Sequence, residues 1–239
     1  TNILIDGNSQ KKFLIKNGII NNKINCKVIY NGSVCGVETK KFKKNSVIRK
    51  KIRKSLKINT ATTALIYVGR INKDKGIIDL IDTYYKLRLK FKNLCLILIG
   101  NDEIGMDRII NRKEKYANNI KLFNYKENVV KFLQASDIFC FPSKREGFGL
   151  SVLEASSCEL PVVCSDIYGL NDTFVHKKTG YRFKLNNNEE MYKYILNLVK
   201  NKNLRKMLGN NGRKFVKENF ERKKVIKEYI NFFNKLISE

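Results

Sequence analysis

Five short apolar runs constrain this chain of 239 residues more than any other feature. They are Ala64–Val68, Leu94–Ile99, Ile120–Phe123, Asp137–Phe141 and Pro161–Cys164. Each has the length of a strand, and apart from Lys121 in the third none alternates with polar residues, as a strand covered on both faces need not. Helical patterns separate them. Ile77, Leu80, Ile81, Tyr84, Leu87 and Phe91 recur at spacings of three and four and predict an amphipathic helix over 75–91. Further helices are predicted over 107–116, 127–135 and 150–158. Strands alternating with helices imply a parallel sheet with right-handed crossovers, the doubly wound α/β class. Gly180–Phe183 reads as a short edge strand. Beyond residue 189 the pattern is entirely helical, at 189–200, 203–218 and 221–237. Ahead of the first run come a strand over 1–6, a helix over 10–17 capped by Ser9 and ended by Gly18, a strand over 26–30, and a basic helix over 47–56.

An open sheet of this kind binds ligands outside the carboxyl ends of its strands. The run ending at Phe141 leads into Pro142-Ser143-Lys144-Arg145-Glu146-Gly147-Phe148-Gly149-Leu150-Ser151-Val152-Leu153-Glu154-Ala155. Two glycines let the backbone approach a ligand, and the helix behind them aims free amides and its positive end at an anion. Glu146 and Glu154 frame the loop and suit hydroxyl groups. Amides for a diphosphate beside carboxylates for hydroxyls fit a sugar nucleotide. A purely structural alternative stands beside this: Ser151 and Glu154 also fit a capping box, and Glu146 fits an ordinary loop carboxylate. Val68-Gly69-Arg70 ends the first run, and Lys75 follows with Asp74 as its helix cap. Arg70 and Lys75 would face the same cleft, each contact to a diphosphate contributing about 1.5–3 kcal/mol. The alternative for these two is solvated surface charge.

Lys and Arg number 48 against 22 Asp and Glu, a net charge of +26. Such a chain is drawn to polyanions, whether nucleotide diphosphates, anionic lipid or nucleic acid. Nucleic acid is disfavoured, because no basic stretch is interleaved with aromatics and no helix-turn-helix, zinc-finger or RNP pattern occurs. An anionic membrane surface fits better. The six cysteines form no C-x-x-C pair and read as free thiols of a reducing cytosol. No run of apolar residues is long enough to span a bilayer, and the start is not a signal peptide. Without an initiator Met, the chain reads as a fragment. D-x-D, G-x-G-x-x-G and P-loop patterns do not occur. The one histidine, His176, reads as part of a structural turn.

The Glu146-x7-Glu154 spacing with Gly-Phe-Gly-Leu inside it resembles the signature of family 4 retaining glycosyltransferases of the GT-B fold. Pro142-Ser143, Leu160-Pro161-Val162-Val163, Gly69-Arg70 and Lys75-Gly76 fit the same pattern in the same order. Asn31 to Glu38 resembles the family's interdomain stretch. The likeness runs from about Ser9 to the C-terminus. It implies a Rossmann-like donor domain over 41–218, a remnant of the acceptor domain over 1–40, and a helix over 219–239 returning toward that remnant.

The resemblance further implies retaining transfer from a nucleotide diphosphate sugar, with no cofactor and no metal. Arg70, Lys75 and Glu146 would be catalytic. Gly69, Val129, Gly147, Phe148, Gly149, Leu150 and Glu154 would bind the donor. The loop Asn124–Val129 would border the base, with Asn124 where the family usually has Gly. The acceptor would be a glycan or lipid-linked glycan of surface polysaccharide synthesis, at the cytoplasmic face of a membrane. The rival readings are a donor-binding module that needs a separate acceptor-domain chain and, remotely, a nucleic-acid binder. From these follows an expectation: the chain alone binds donor but transfers no sugar, and residues 1–40 exchange amide hydrogens faster than 64–164. Robust transfer by the pure monomeric chain would contradict it.

Overall fold

The structure is a computed structural model describing residues 3–21, 25–111 and 119–238. Six parallel strands form one sheet: β3 (Thr63–Val68), β4 (Leu94–Ile99), β5 (Ile120–Phe123), β6 (Ile138–Phe141), β7 (Val162–Ser165) and β8 (Gly180–Phe183). Their spatial order is β5-β4-β3-β6-β7-β8. The chain therefore builds outward from β3 to β5, returns to the middle, and builds outward again from β6 to β8. Between β3 and β6 the winding reverses, which is where the loops part and open a crevice. β8 lies at the edge, as its short length predicts. The run at β4 stacks Leu94 through Ile99 with every side chain buried, since helices cover both faces.

The described helices from residue 46 on are α2 (Ser46–Ser55), α3 (Ile77–Arg88), α4 (Met106–Asn111), α5 (Val130–Ala135), α6 (Leu150–Ser157), α7 (Asn188–Lys200), α8 (Lys202–Asn219) and, away from the sheet, α9 (Arg222–Ser238). Several starts differ from expectation. Helix α3 does not begin at Lys75 under an Asp74 cap. Residues Lys73–Lys75 form a 3-10 turn capped by the Asn72 side chain, and Gly76 then turns left-handed at φ 63° before α3. Helix α5 begins at Val130, since residues 124–128 form an exposed loop. The predicted helix over 107–116 begins at Met106, and its residues from 112 on lie outside the described ones.

Residues before β3 form a small satellite. Strands β1 (Ile3–Leu4) and β2 (Cys26–Lys27) pair in parallel around α1 (Asn8–Lys16). Both strands are shorter than expected, and residues 1–2 lie outside the described ones. Ser9 does not cap α1. Its backbone N–H and hydroxyl both donate to the Asp172 carboxylate, at 2.8 and 2.7 Å, because that acceptor reaches it from the loop after β7. Phe13 stacks on Tyr168 at 4.2 Å between ring centres. Val37 accepts from and donates to the backbone around α9, giving an isolated bridge to Glu221. Helix α9 passes back over this satellite, with Lys27 above the Phe232 ring. Ile226, Ile230, Phe233 and Ile237 of α9 remain exposed.

One position couples the turn to the sheet. A Cβ on Gly76 would stand 2.1 Å from the Pro142 carbonyl oxygen, in a left-handed backbone. Gly76→Ala is expected to lower stability by about 2 kcal/mol or more, strain and collision adding. Urea unfolding followed by circular dichroism measures it, and an unchanged midpoint would contradict the close approach.

Candidate functional site

The loops after β3 and β6 meet above the point where the winding reverses. Lys75, on the 3-10 turn, is only 8% exposed. Its ammonium lies 2.5 Å from Glu146 Oε1 and 2.8 Å from the Arg145 carbonyl. The Ser143 hydroxyl donates to the same carboxylate oxygen at 2.9 Å and also reaches the Arg145 carbonyl at 3.0 Å. The Lys144 amide donates to the Asp74 carbonyl at 2.8 Å, so backbone closes the two loops as well. Two residues taken separately from the sequence are thus partners. One carboxylate oxygen of Glu146 is held by protein, and the other takes no hydrogen bond among the described residues.

Arg70 stands apart from this pair. Its side chain is mostly exposed at the rim, 3.6 Å from Glu103. Its carbonyl accepts from the Tyr67 hydroxyl at 2.7 Å, which fixes the backbone and leaves the guanidinium to swing. Burial, reinforced by the charge of Glu146, pushes the Tyr67 phenol up, so it stays a donor. Gly69 lies against that phenol, 2.8 Å from where its Cβ would be.

The glycine loop divides into used and unused donors. The Gly149 amide donates to Gly169 and the Leu150 amide to Phe148. Among the described residues the amides of Gly147 and Phe148 have no acceptor. The Phe148 ring turns away into the satellite, against Gly7 and Gly32 and 5.9 Å from Phe220. It wedges the loop from behind rather than lining the cleft. Asp6, at the end of β1, brings a carboxylate oxygen to 3.7 Å from the Cβ position of Gly147. No local signal marked Asp6, because it arrives from the other end of the chain. Ser143 was visible only as part of the Pro-Ser pair.

Glu154 sits on the second turn of α6. No side chain caps that helix, so the Ser151–Glu154 capping box does not form. The Glu154 carboxyl has no hydrogen-bond partner among the described residues. Burial raises its pKa to about 7, and the charges of Lys41 and Arg222 offset this only in part. A half-buried carboxyl that takes no donor from the protein is free to accept hydrogen bonds from a ligand. Val129 is half-buried against the core where α5 begins, after the exposed loop at the end of β5. His176 takes the Arg182 amide on Nδ1 at 2.9 Å. Burial, then Lys177 and Arg182, lower its pKa, so it serves as a neutral brace of the β8 turn. All six cysteines are free thiols. Among the described residues no three His, Cys, Asp or Glu side chains cluster as a metal site.

A parallel sheet whose winding reverses under two loops tied by the Lys75–Glu146 pair is a Rossmann-like nucleotide-binding architecture in outline. The family model described as glycosyl transferases group 1 matches residues 48–215, and the chain belongs to that family. The capsular polysaccharide biosynthesis glycosyltransferase CapM of Staphylococcus aureus is 30% identical over 240 residues, 99% of this chain and 62% of the relative. An uncharacterized glycosyltransferase of Methanocaldococcus jannaschii, MJ1069, is 32% identical over 235 residues, 94% of this chain and 57% of the relative. The chain thus spans about three-fifths of each relative's length. Sucrose-phosphate synthase from Thermosynechococcus elongatus superposes with a TM-score of 0.85 at 20% identity, over 99% of this chain and 58% of that one. Anabaena HepE in complex with UDP and glucose superposes at 0.81 and 19% identity, over 99% and 62%. The fold is that of a GT-B C-terminal domain with a helical tail, as the sequence pattern implied.

The state of Glu154 has a measurable consequence. Unfolded, the carboxyl ionises near 4.5, and folded near 7. The folded chain thus keeps a proton that the unfolded chain has lost. That contribution is full below pH 4.5 and disappears as pH rises through 7. Glu154→Gln, which stays neutral, should leave stability nearly unchanged near pH 4.5 and raise it near pH 8 by about 1–3 kcal/mol. Denaturant melts of both proteins at the two pH values measure this, and an equal effect at both would contradict the raised pKa of Glu154.

Proposed function

We propose that this chain is the donor-binding part of a family 4 type retaining glycosyltransferase. It transfers a sugar from a nucleoside diphosphate sugar to a glycan or lipid-linked acceptor, at the cytoplasmic face of a membrane. One observation carries the reading: the Lys75–Glu146 pair lies where the sheet's winding reverses, directly followed in the chain by the two unused amides of Gly147 and Phe148. Capsular polysaccharide synthesis by CapM and the UDP and glucose held by HepE support the substrate class.

In this reading the diphosphate rests on the Gly147 and Phe148 amides. Arg70 swings in from the rim, and Lys75 reaches the phosphates from below. Glu146, with one oxygen held by Lys75 and Ser143, offers the other to a sugar hydroxyl. Glu154 accepts from the ribose hydroxyls and ionises as they bind. When the bond from the sugar to the diphosphate breaks, negative charge grows on the leaving oxygen. Fixed cations and amides stabilise that charge best because they need no reorganisation. Retention follows if the acceptor attacks on the face the diphosphate leaves, its proton passing to the leaving phosphate oxygen. Arg70 and Lys75 supply the positive charge that a metal supplies in other transferases. A second reading has the chain act only with a separate acceptor-domain chain. The exposed apolar groups of α9 and the two-stranded satellite favour it.

Arg70→Ala and Lys75→Ala, with Lys75→Arg as a fold control, should each weaken UDP binding by about 10-fold or more while changing uridine affinity little. Equal loss for both ligands by calorimetry would overturn the assignment. Glu154→Gln should cost a ribonucleotide more affinity than its deoxyribose analogue. UDP affinity should persist in chelator; collapse there with recovery on magnesium would refute the metal-free reading.

A further inference from the structure

The cationic surface is not spread evenly. No acidic residue occurs between Glu38 and Asp74, and none between Glu190 and Glu218. The fold brings these two stretches together at the amino ends of the strands, the end opposite the donor crevice. Arg53 donates to Asn59, Thr62, Ala135 and Asp137, all just ahead of β3 or β6. Arg49 reaches Asp137 at 2.7 Å, and the charge of Asp137 also acts on Arg205 of α8. Asp137 is thereby neutralised from inside. Arg213 is likewise spent on the carbonyls of Phe42, Ser157 and Thr39.

Arginines face inward here and lysines outward. Lys50, Lys51 and Lys54 share the outer face of α2, Lys57 follows it, and Lys206 projects from α8; all are exposed. Among the described residues none of these five has an ion-pair partner. Lys44 nearby is paired with Glu159. Two apolar side chains stand among them, Val47 at 72% exposure and Met207 at 50%.

We infer that this face docks the protein on an anionic lipid bilayer. Clustered lysines are drawn to anionic headgroups at about 1 kcal/mol each. An apolar side chain projecting between them enters the headgroup boundary, as on interfacial helices. Nucleic acid is the poorer fit. The planar guanidinium groups that would stack on bases or grip phosphates are turned inward, and no aromatic side chain stands among the outward lysines. No described helix is long and apolar enough to cross a membrane. With α2 on the lipid, the donor crevice stands about 20 Å above it, the span of the six residues of β3. The inference does not rest on the donor reading, and UDP affinity reports that reading separately.

Flotation of the chain with phosphatidylcholine vesicles, with and without phosphatidylglycerol, tests it. Binding should require phosphatidylglycerol and vanish at high salt. Lys50→Glu with Lys51→Glu and Lys54→Glu should lower partitioning by about 100-fold or more, with UDP affinity unchanged. Lys12→Glu with Lys16→Glu and Lys178→Glu makes the same change in net charge elsewhere and should lower it by no more than about 3-fold. Val47→Asn, which leaves charge alone, should also weaken it. The Lys→Gln triple at the same α2 positions serves if the reversal does not fold. Equal loss in the two charge-matched triples would overturn the inference. So would no flotation of the unaltered chain, or tight poly-uridylate binding that the α2 triple abolishes while flotation persists.

Discussion

The ion pair between Lys75 and Glu146 is the contact on which the site depends. It joins the loop after β3 to the loop after β6 across the reversal of the sheet. Taking both charges out of water is costly, and such pairs seldom add net stability over an apolar substitute. What the pair provides is position. Each partner holds the other with both side chains largely out of solvent, so their charges interact at short range and in a medium less polar than water. Ser143 adds a hydrogen bond to the held oxygen of Glu146 and the Arg145 carbonyl accepts from Lys75, which fixes the pair and leaves one Glu146 oxygen over.

Around that pair the sheet supplies rigidity and the glycines supply access. Gly76 lets the 3-10 turn lie against the Pro142 carbonyl, and Gly169 lets the Glu146 carbonyl approach within 2.0 Å of its Cβ position. The Phe148 ring anchors the loop from behind against the satellite and Phe220. Donors left unused at Gly147 and Phe148 are therefore held by a loop braced on two sides. At the other end of the sheet Asp137 collects Arg49, Arg53 and the Ala64 amide, tying α2 to the starts of β3 and β6. The two ends thus use charge differently. At the carboxyl ends it is gathered inward toward a crevice. At the amino ends the arginines are gathered inward and the lysines left in solvent.

Much of this was legible in the chain itself. The run at β4, buried on both faces, cannot be mistaken for an alternating strand, and β5 and the edge strand β8 also fall where the sequence places them. The Gly-rich stretch between Glu146 and Glu154 and the Gly69-Arg70 pair mark the crevice, because the carboxyl ends of β3 and β6 must open there. The three terminal helices follow from their spacing to within about two residues. These are local regularities, and neighbouring residues carry them in full.

Only the tertiary structure decided where the polar groups found their partners. Ser9 looks like a cap, yet Asp172, 163 positions away, offers a stronger acceptor. Asp74 precedes α3, but Asn72 holds the turn because its side chain reaches the Lys75 amide. Ser151 and Glu154 have the spacing of a capping box, but the helix starts after Gly149, so Ser151 already lies inside it and no side chain caps it. Lys75 and Glu146 each suggest a ligand contact, and their contact with each other appears only once two loops seventy residues apart are folded together. Sequence fixes the periodicities, because those depend on the nearest neighbours. A hydrogen bond or ion pair goes to whichever group the fold brings closest, and that is a property of space rather than of order along the chain.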